Sequence, residues 1–404
     1  MTSSEHGLSS FQYQPRTRLI FGQGAVDRLS DLVLELGGSR VLLVTDAGLR
    51  KAGHCSRAAG MLRAAGISVF VFDRVSENPT TEDVERCTAF AEPHKVDFIV
   101  GLGGGSSIDC AKGANFLLTS GGQMQDYRGV GKAKAPMLPM ISVPTTAGTG
   151  SEAQSFAVIA DPVTHMKMPC GDPRAACRAA ILDPELTVTM PHSVATVTGI
   201  DAMTHAIESF VTKNRNPVSQ MFARQAWRLL SDAFPAILDN PGDLEARGRM
   251  QLGAHFAGTA IENSMLGAAH ALANPLTAHF GTVHGRAVGL LLPRVIRWNI
   301  STVGELYHDL AVSAGWAEST DSPEHASREL ADRFTKLLVR ADMPTSLAEL
   351  ADENELLENI RTLSEEASQQ WTGTFNPRKM DADDFCQVYR NALASGTASV
   401  KHVG

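Results

Sequence analysis

From Arg18 to about Met190, short apolar runs alternate with amphipathic stretches; from Pro191 onward the apolar positions recur at helical spacing instead. The first half therefore reads as a parallel sheet covered by helices. Val41-Leu42-Leu43-Val44-Thr45 is a buried strand ending at Asp46. A helix over residues 54–65, a strand over 67–72, a helix over 81–92 and the strand Phe98-Ile99-Val100-Gly101-Leu102 follow. The run Gly103-Gly104-Gly105-Ser106-Ser107 leads into a helix over 106–118, and the strand Met140-Ile141-Ser142-Val143 ends in another loop of small residues. Beyond Pro191 the period predicts helices over 193–212, 219–234, 245–266 and 326–339. The expected architecture is an α/β N-terminal domain with a parallel sheet, residues 1–190, and an all-α C-terminal domain, residues 191–404.

A chain of 404 residues is long enough to bury two cores. Its 44 acidic and 36 basic residues leave a formal charge of −8, and no five-residue block is dominated by Lys or Arg, which argues against a nucleic-acid partner. No run of 18 apolar residues occurs, and residues 1–6 lack the basic and apolar regions of a secretion signal, so the expectation is a cytoplasmic protein with no membrane partner. The six cysteines show no C-x-x-C spacing and read as reduced thiols. Thirteen histidines beside four Trp and four Tyr raise the question of ligand spacing.

Backbone N–H groups at a helix start bind phosphate, and preceding glycines let an anion come close. Gly103 to Ser107 meets both conditions, although a tight strand-to-helix turn accounts for the same residues. Asp46 ends the earlier strand where a carboxylate accepts ribose hydroxyls and repels a 2′-phosphate, favouring NAD; a helix N-cap suits the position equally. Asn78-Pro79-Thr80 and the loop from Thr145 to Ser151 bring polar groups from further strand ends to the same sheet edge.

Asp201 and His205 stand four residues apart in a helical run and project from one face. His270 and His284 flank a segment that Pro275 and Gly281 are expected to break into two helical pieces, presenting one imidazole from each. One carboxylate and three imidazoles suit divalent zinc or iron. His6, His94, His308, His325 and His402 read as solvated, and His279 either lines the same cavity or packs as an interior histidine.

Four motifs in order now resemble the iron-dependent alcohol dehydrogenases. They are Gly103-Gly104-Gly105-Ser106 with Asp109 and Lys112, the loop Pro144-Thr145-Thr146-Ala147-Gly148-Thr149-Gly150-Ser151-Glu152, the helix Gly199-Ile200-Asp201-Ala202-Met203-Thr204-His205-Ala206-Ile207-Glu208, and the pair His270 and His284. Arg18-Leu19-Ile20-Phe21-Gly22 is similar to the family's opening strand. The resemblance implies that Asp201, His205, His270 and His284 hold one divalent metal, Fe2+ by family habit with Zn2+ as the alternative. It further implies that Asp46, Asn78, Gly104, Gly105, Ser106, Thr145, Thr146, Thr149 and Lys167 face NAD, that Phe156 and Ile261 line the substrate pocket, and that the enzyme forms a homodimer.

One departure from the family pattern stands out. Many members carry a histidine four residues after the first of the paired ligands, thought to relay the alcohol proton, and here that residue is Asn274. Asparagine is no general base at neutral pH. The proton leaves through water and the cofactor ribose, or His279 takes the role, or the preferred reaction differs. The expected activity is hydride transfer between NAD(H) and a small primary alcohol or aldehyde; the alternative is an NAD- and metal-dependent lyase resembling dehydroquinate synthase.

Overall fold

The computed structural model describes residues 10–393; His6, His402 and the residues considered for a secretion signal lie outside that range. The strands are β1 (Arg18–Phe21), β2 (Arg40–Val44), β3 (Ser68–Phe72), β4 (Phe98–Gly103), β5 (Gly129–Val130), β6 (Met140–Pro144), β7 (Phe156–Ala160), β8 (Lys167–Gly171) and β9 (Ala179–Leu182). Six of them form one sheet in the order β1-β9-β6-β4-β2-β3, with every pair parallel. Alternate residues of β2 enter opposite cores, Leu42 and Val44 on one face and Val41 and Leu43 on the other. That two-sided burial is why its sequence is a continuous apolar run rather than an alternating one. The β7–β8 hairpin pairs antiparallel and joins β5 in a small second sheet. Ala179–Leu182, which the sequence pattern did not single out, fills the place between β1 and β6.

Around the sheet lie α1 (Leu29–Glu35), α2 (Ala47–Lys51), α3 (His54–Ala64), α4 (Thr81–Ala91) and α5 (Gly105–Ser120). The helical part comprises α6 (His192–Val211), α7 (Pro217–Asp239), α8 (Leu244–Glu262), α9 (Ala268–Phe280), α10 (His284–Ser313, kinked at Val303), α11 (Pro323–Arg340), α12 (Glu353–Ser368) and α13 (Ala382–Leu393). Its core is continuous from Ile200 on α6 through Trp227, Leu272 and Leu291 to Tyr389. Trp227 is fully buried and donates its indole N–H to the Leu310 carbonyl at 2.9 Å, so its one polar atom is satisfied.

Two expectations about helices are corrected. Pro275 does not break α9, which runs through it to Phe280. Proline removes one backbone donor, but Leu272, Ala273, Pro275 and Leu276 are all buried, and this packing overrides the local penalty. The break falls at Gly281, whose φ of 62° closes the helix with an N–H donated to the Thr277 carbonyl at 3.1 Å. Helix α8 stops at Glu262 instead of running on to Leu266, because the chain turns at Asn263 and re-enters a helix after Gly267. Of the histidines read as solvated, His325 is exposed. His94, however, stacks on Phe70 with ring centroids 4.2 Å apart, and the Nε2 of His308 is buried.

Candidate active site

Strands β2 and β4 are parallel neighbours, but the chain leaves them toward opposite edges, β2 to β3 and β4 to β6. Such a reversal opens a crevice at the carboxyl ends of the two strands. Asp46 follows β2 there, two residues past its last residue. One carboxylate oxygen accepts the Leu49 N–H at 3.0 Å as the N-cap of α2, and the other receives the Ser107 hydroxyl at 3.4 Å. The capping geometry is thus present, and the second oxygen is turned toward the glycine loop. Gly104 is the N-cap of α5 and Gly105 its first residue. A Cβ on Gly105 would lie 2.6 Å from the Thr149 hydroxyl, so only glycine lets the two loops approach this closely.

A cavity of 1190 Å³ begins at this crevice, lined by Asn78, Gly105, Ser106, Thr149 and Lys167. Asn78 has a φ of 52°, a left-handed conformation that asparagine tolerates better than most residues. Asp46, Gly104, Thr145 and Thr146 are not among the lining residues. Thr145 is buried and donates its N–H to the Gly103 carbonyl at 3.0 Å, and Thr146 packs on Gly104. Lys112, fully buried on α5, donates to the carbonyls of Ser151, Gln154 and Phe156 at 2.6, 2.7 and 2.9 Å and so ties the loop after β6 to the glycine helix.

The same cavity is lined by Asp201, His205, His270 and His284. The first two lie one turn apart on α6, His270 is on α9, and His284 begins α10. The Nε2 atoms of His205, His270 and His284 stand 3.5, 3.5 and 4.0 Å from one oxygen of Asp201. That oxygen and the Nε2 of His270 are buried without a hydrogen-bond partner. Unpaired buried polar atoms are costly and call for a ligand. Burial opposes ionisation of Asp201, but the three imidazoles hold its carboxyl well below the usual range. Burial also lowers His205 and His284, the latter further because of the Lys167 charge. Against the same burial, Glu208 and Asp201 raise His270 to about 9. Ligand atoms of Asp201, His270 and His284 lie within 4.8 Å of one another, with His205 Nε2 3.5 Å from the Asp201 oxygen beside them, a carboxylate and imidazole set that suits a divalent ion.

Glu208 carried no role in the sequence reading, yet its position on α6, three residues after His205, puts it on the same face. One of its oxygens accepts from His270 Nδ1 at 2.6 Å and the other from the Ala269 N–H at 2.7 Å. With Nδ1 donating to Glu208, Nε2 is the ring nitrogen turned toward Asp201 and the one that a metal would take in place of a proton.

Phe156 and Ile261 line the cavity beyond this cluster, together with Glu366, Gln370 and Trp371. Nothing local in the sequence marked residues 366–371, which the fold brings against α9 from about a hundred positions away. Asn274 lines the cavity and donates its amide N–H to the Gln370 side-chain carbonyl at 3.0 Å. His279 is neither interior nor in the cavity lining. It sits on the last turn of α9, one-third exposed, with Nε2 at 3.0 and 2.9 Å from the two oxygens of Glu366.

Comparison with known sequences decides the family. Residues 15–184 match the profile described as iron-containing alcohol dehydrogenase, and residues 195–393 match the C-terminal domain of the Fe-containing alcohol dehydrogenase family. The chain belongs to the iron-containing alcohol dehydrogenase family. It is 32% identical to the NAD-dependent methanol dehydrogenase of Bacillus methanolicus, over 93% of this chain and 97% of that one. The crystal structure of a 1,3-propanediol oxidoreductase superposes with a TM-score of 0.91 at 32% identity, covering 95% of this chain and all of that one. Sulfoacetaldehyde reductase from Bifidobacterium kashiwanohense, solved in complex with NAD+, gives a TM-score of 0.85 at 27% identity, with 96% and 99% covered.

In this family member a stripe along α8 joins the helical part to the loop after β6. Gln251 donates to the Pro144 carbonyl at 2.9 Å, His255 Nδ1 lies 3.3 Å from Glu152, and Glu262 accepts from the Ser155 N–H at 2.9 Å and its hydroxyl at 2.6 Å. Between them Gly258 meets Gly150 backbone to backbone, where an added Cβ would lie 2.5 Å from the Gly150 carbonyl oxygen. The helices that carry the imidazoles and the loop that carries Thr149 are thereby held in a fixed relation.

Proposed function

We propose that the enzyme transfers a hydride between a small primary alcohol or aldehyde and NAD(H), with Asp201, His205, His270 and His284 holding a divalent metal. The observation that carries this is the pair of unpartnered ligand atoms, Asp201 Oδ1 and His270 Nε2, in the cavity that Gly105, Ser106 and Thr149 also line. When bound, the metal supplies a Lewis acid and the nicotinamide ring supplies the hydride acceptor. Gly104, Gly105 and Ser106 offer N–H groups at the start of α5 to the pyrophosphate, with Asn78, Thr145, Thr146, Thr149 and Lys167 around it. Asp46 selects NAD by repelling a 2′-phosphate. Phe156 and Ile261 present an apolar wall to the carbon chain and help exclude water.

Fe2+ is the family-typical ion, and the ligand set also accepts Zn2+. The lyase alternative is not favoured, since the compared proteins are dehydrogenases, oxidoreductases and reductases by name. We divide the chain at residue 190, supported by the end of β9 at Leu182 and the start of α6 at His192. A homodimer is supported by β1, an edge strand with Phe21 exposed. The six free thiols suit the reducing cytoplasm. Among the described residues no helix is long and apolar enough to cross a membrane. His270→Ala tests the assignment: turnover and metal content should fall together while NADH binding persists. Metal retained at parent stoichiometry, or loss of NADH binding with activity preserved, would contradict it.

A further inference from the structure

Oxidising an alcohol releases a proton as well as a hydride, and the cavity needs a group that takes it. Asn274, one turn after His270, cannot. The other carboxylates near the substrate end are committed elsewhere. Glu262 accepts two hydrogen bonds from Ser155 and pairs with Arg16 at 3.3 Å, and Asp109 is bonded by the Ser151 hydroxyl. Glu366 differs. It lines the cavity, and both its oxygens face one imidazole nitrogen of His279 at 3.0 and 2.9 Å. The two residues form the outer of two polar rungs between α9 and the end of α12, the inner rung being Asn274 to Gln370. His279 itself stands outside the cavity lining, with a third of its side chain exposed. The rung therefore joins a carboxylate of the cavity lining to an imidazole outside it, with about a third of each side chain exposed.

We propose that Glu366 and His279 are the exit path for the alcohol proton. The inference rests on the dehydrogenase reading above. The hydride leaves the carbinol carbon for NAD+, and the hydroxyl proton passes through cavity water to the Glu366 carboxylate. In the resting pair Nε2–H donates to the Glu366 carboxylate. Once Glu366 is protonated, solvent exchange moves the imidazole proton to Nδ1, Glu366 hands its proton to the freed Nε2, and the imidazolium releases the Nδ1 proton to bulk water, which restores the resting pair. In aldehyde reduction the same path runs inward.

The test is a stopped-flow comparison of the metal-loaded parent enzyme with H279A and E366Q, following NADH by absorbance and released protons with a pH indicator. An ion pair about one-third exposed contributes little to stability, so both variants should keep the parent melting temperature and NADH affinity. In H279A, proton release should lag NADH formation, and kcat should fall at least about tenfold with KM for NAD unchanged, below the loss of about a hundredfold typical of a lost general base because water substitutes in part. Added imidazole should restore both rate and proton release in H279A and neither in E366Q. Proton release in step with NADH in both variants overturns the path alone, as does a loss of rate that imidazole leaves unrepaired. Absence of NADH from the parent enzyme with every primary alcohol tried overturns the path together with the dehydrogenase reading.

Discussion

Replacing Glu208 with glutamine probes how the fold prepares an imidazole for a metal. The carboxylate bridges two buried donors, His270 Nδ1 at 2.6 Å and the Ala269 N–H at 2.7 Å, and both side chains of the ion pair are at most 5% exposed. Glutamine keeps the length and one acceptor oxygen but turns an NH2 group toward the remaining donor. His270 then loses either its hydrogen bond or its fixed tautomer, and in both cases the charge that favours ligation. Losing a partner of this kind typically weakens metal binding about 10- to 100-fold, or about 1.4 to 2.7 kcal/mol. Competition with a fluorescent chelator for cobalt(II) or zinc(II) measures the affinity, and quenching of NADH fluorescence provides the control. The reasoning predicts weaker metal binding with NADH affinity within about twofold of the parent. Metal affinity equal to the parent would refute it, and a parallel fall in NADH affinity would show a general collapse of the site instead.

Three other outcomes are expected. Asp46→Ser keeps an acceptor for the Leu49 N–H while removing the charge, so the ratio of kcat/KM for NADPH to that for NADH should rise by about tenfold or more; an unchanged ratio would remove Asp46 from cofactor selection. Gly258→Ala drives a methyl group to 2.5 Å from the Gly150 carbonyl oxygen, which should cost about 1 to 3 kcal/mol in denaturant unfolding and weaken NADH binding by displacing the Thr149 loop. Burial pushes the Cys170 thiol up to about 12 from its ordinary 9.0. The protonated thiol therefore contributes stability that is full below that ordinary value and is lost as pH climbs toward 12; iodoacetamide at pH 8.5 should leave Cys170 unmodified in the native protein and label it after denaturation, as mass spectrometry would show.

The elements with strong periodicity were readable in advance, because β2, β4 and β6 are apolar on both faces and the long helices of the second half carry unbroken stripes. The metal cluster was readable for a related reason. Asp201 and His205 sit at helical spacing, and the glycine at 281 separates the helix that carries His270 in its first turn from the one that His284 begins. What escaped depends on tertiary context. Pro275 announces a break that the packing of its neighbours overrides, and Asn263 and Gly267 outweigh the apolar Met265 and Leu266 in ending α8. Glu366, Gln370 and Trp371 reach the cavity only because α12 packs against α9, and no local pattern reports such a contact. His279 escaped both of its sequence readings, since its exposure follows from its place on the last turn of α9 beside a carboxylate from a distant helix.

The central claim is that one cavity holds a divalent metal on Asp201, His205, His270 and His284 and a nicotinamide dinucleotide on the loops of the sheet, with hydride transfer between them. Turnover of a primary alcohol deuterated at C1, followed by mass spectrometry of the reduced dinucleotide, tests it most directly in metal-replete and chelator-treated enzyme. The account predicts deuterium in the dinucleotide from the replete enzyme, its loss on chelation and its return when ferrous iron or zinc is restored. Reduced dinucleotide without the label, or labelled product formed equally well after the metal is stripped, would contradict it.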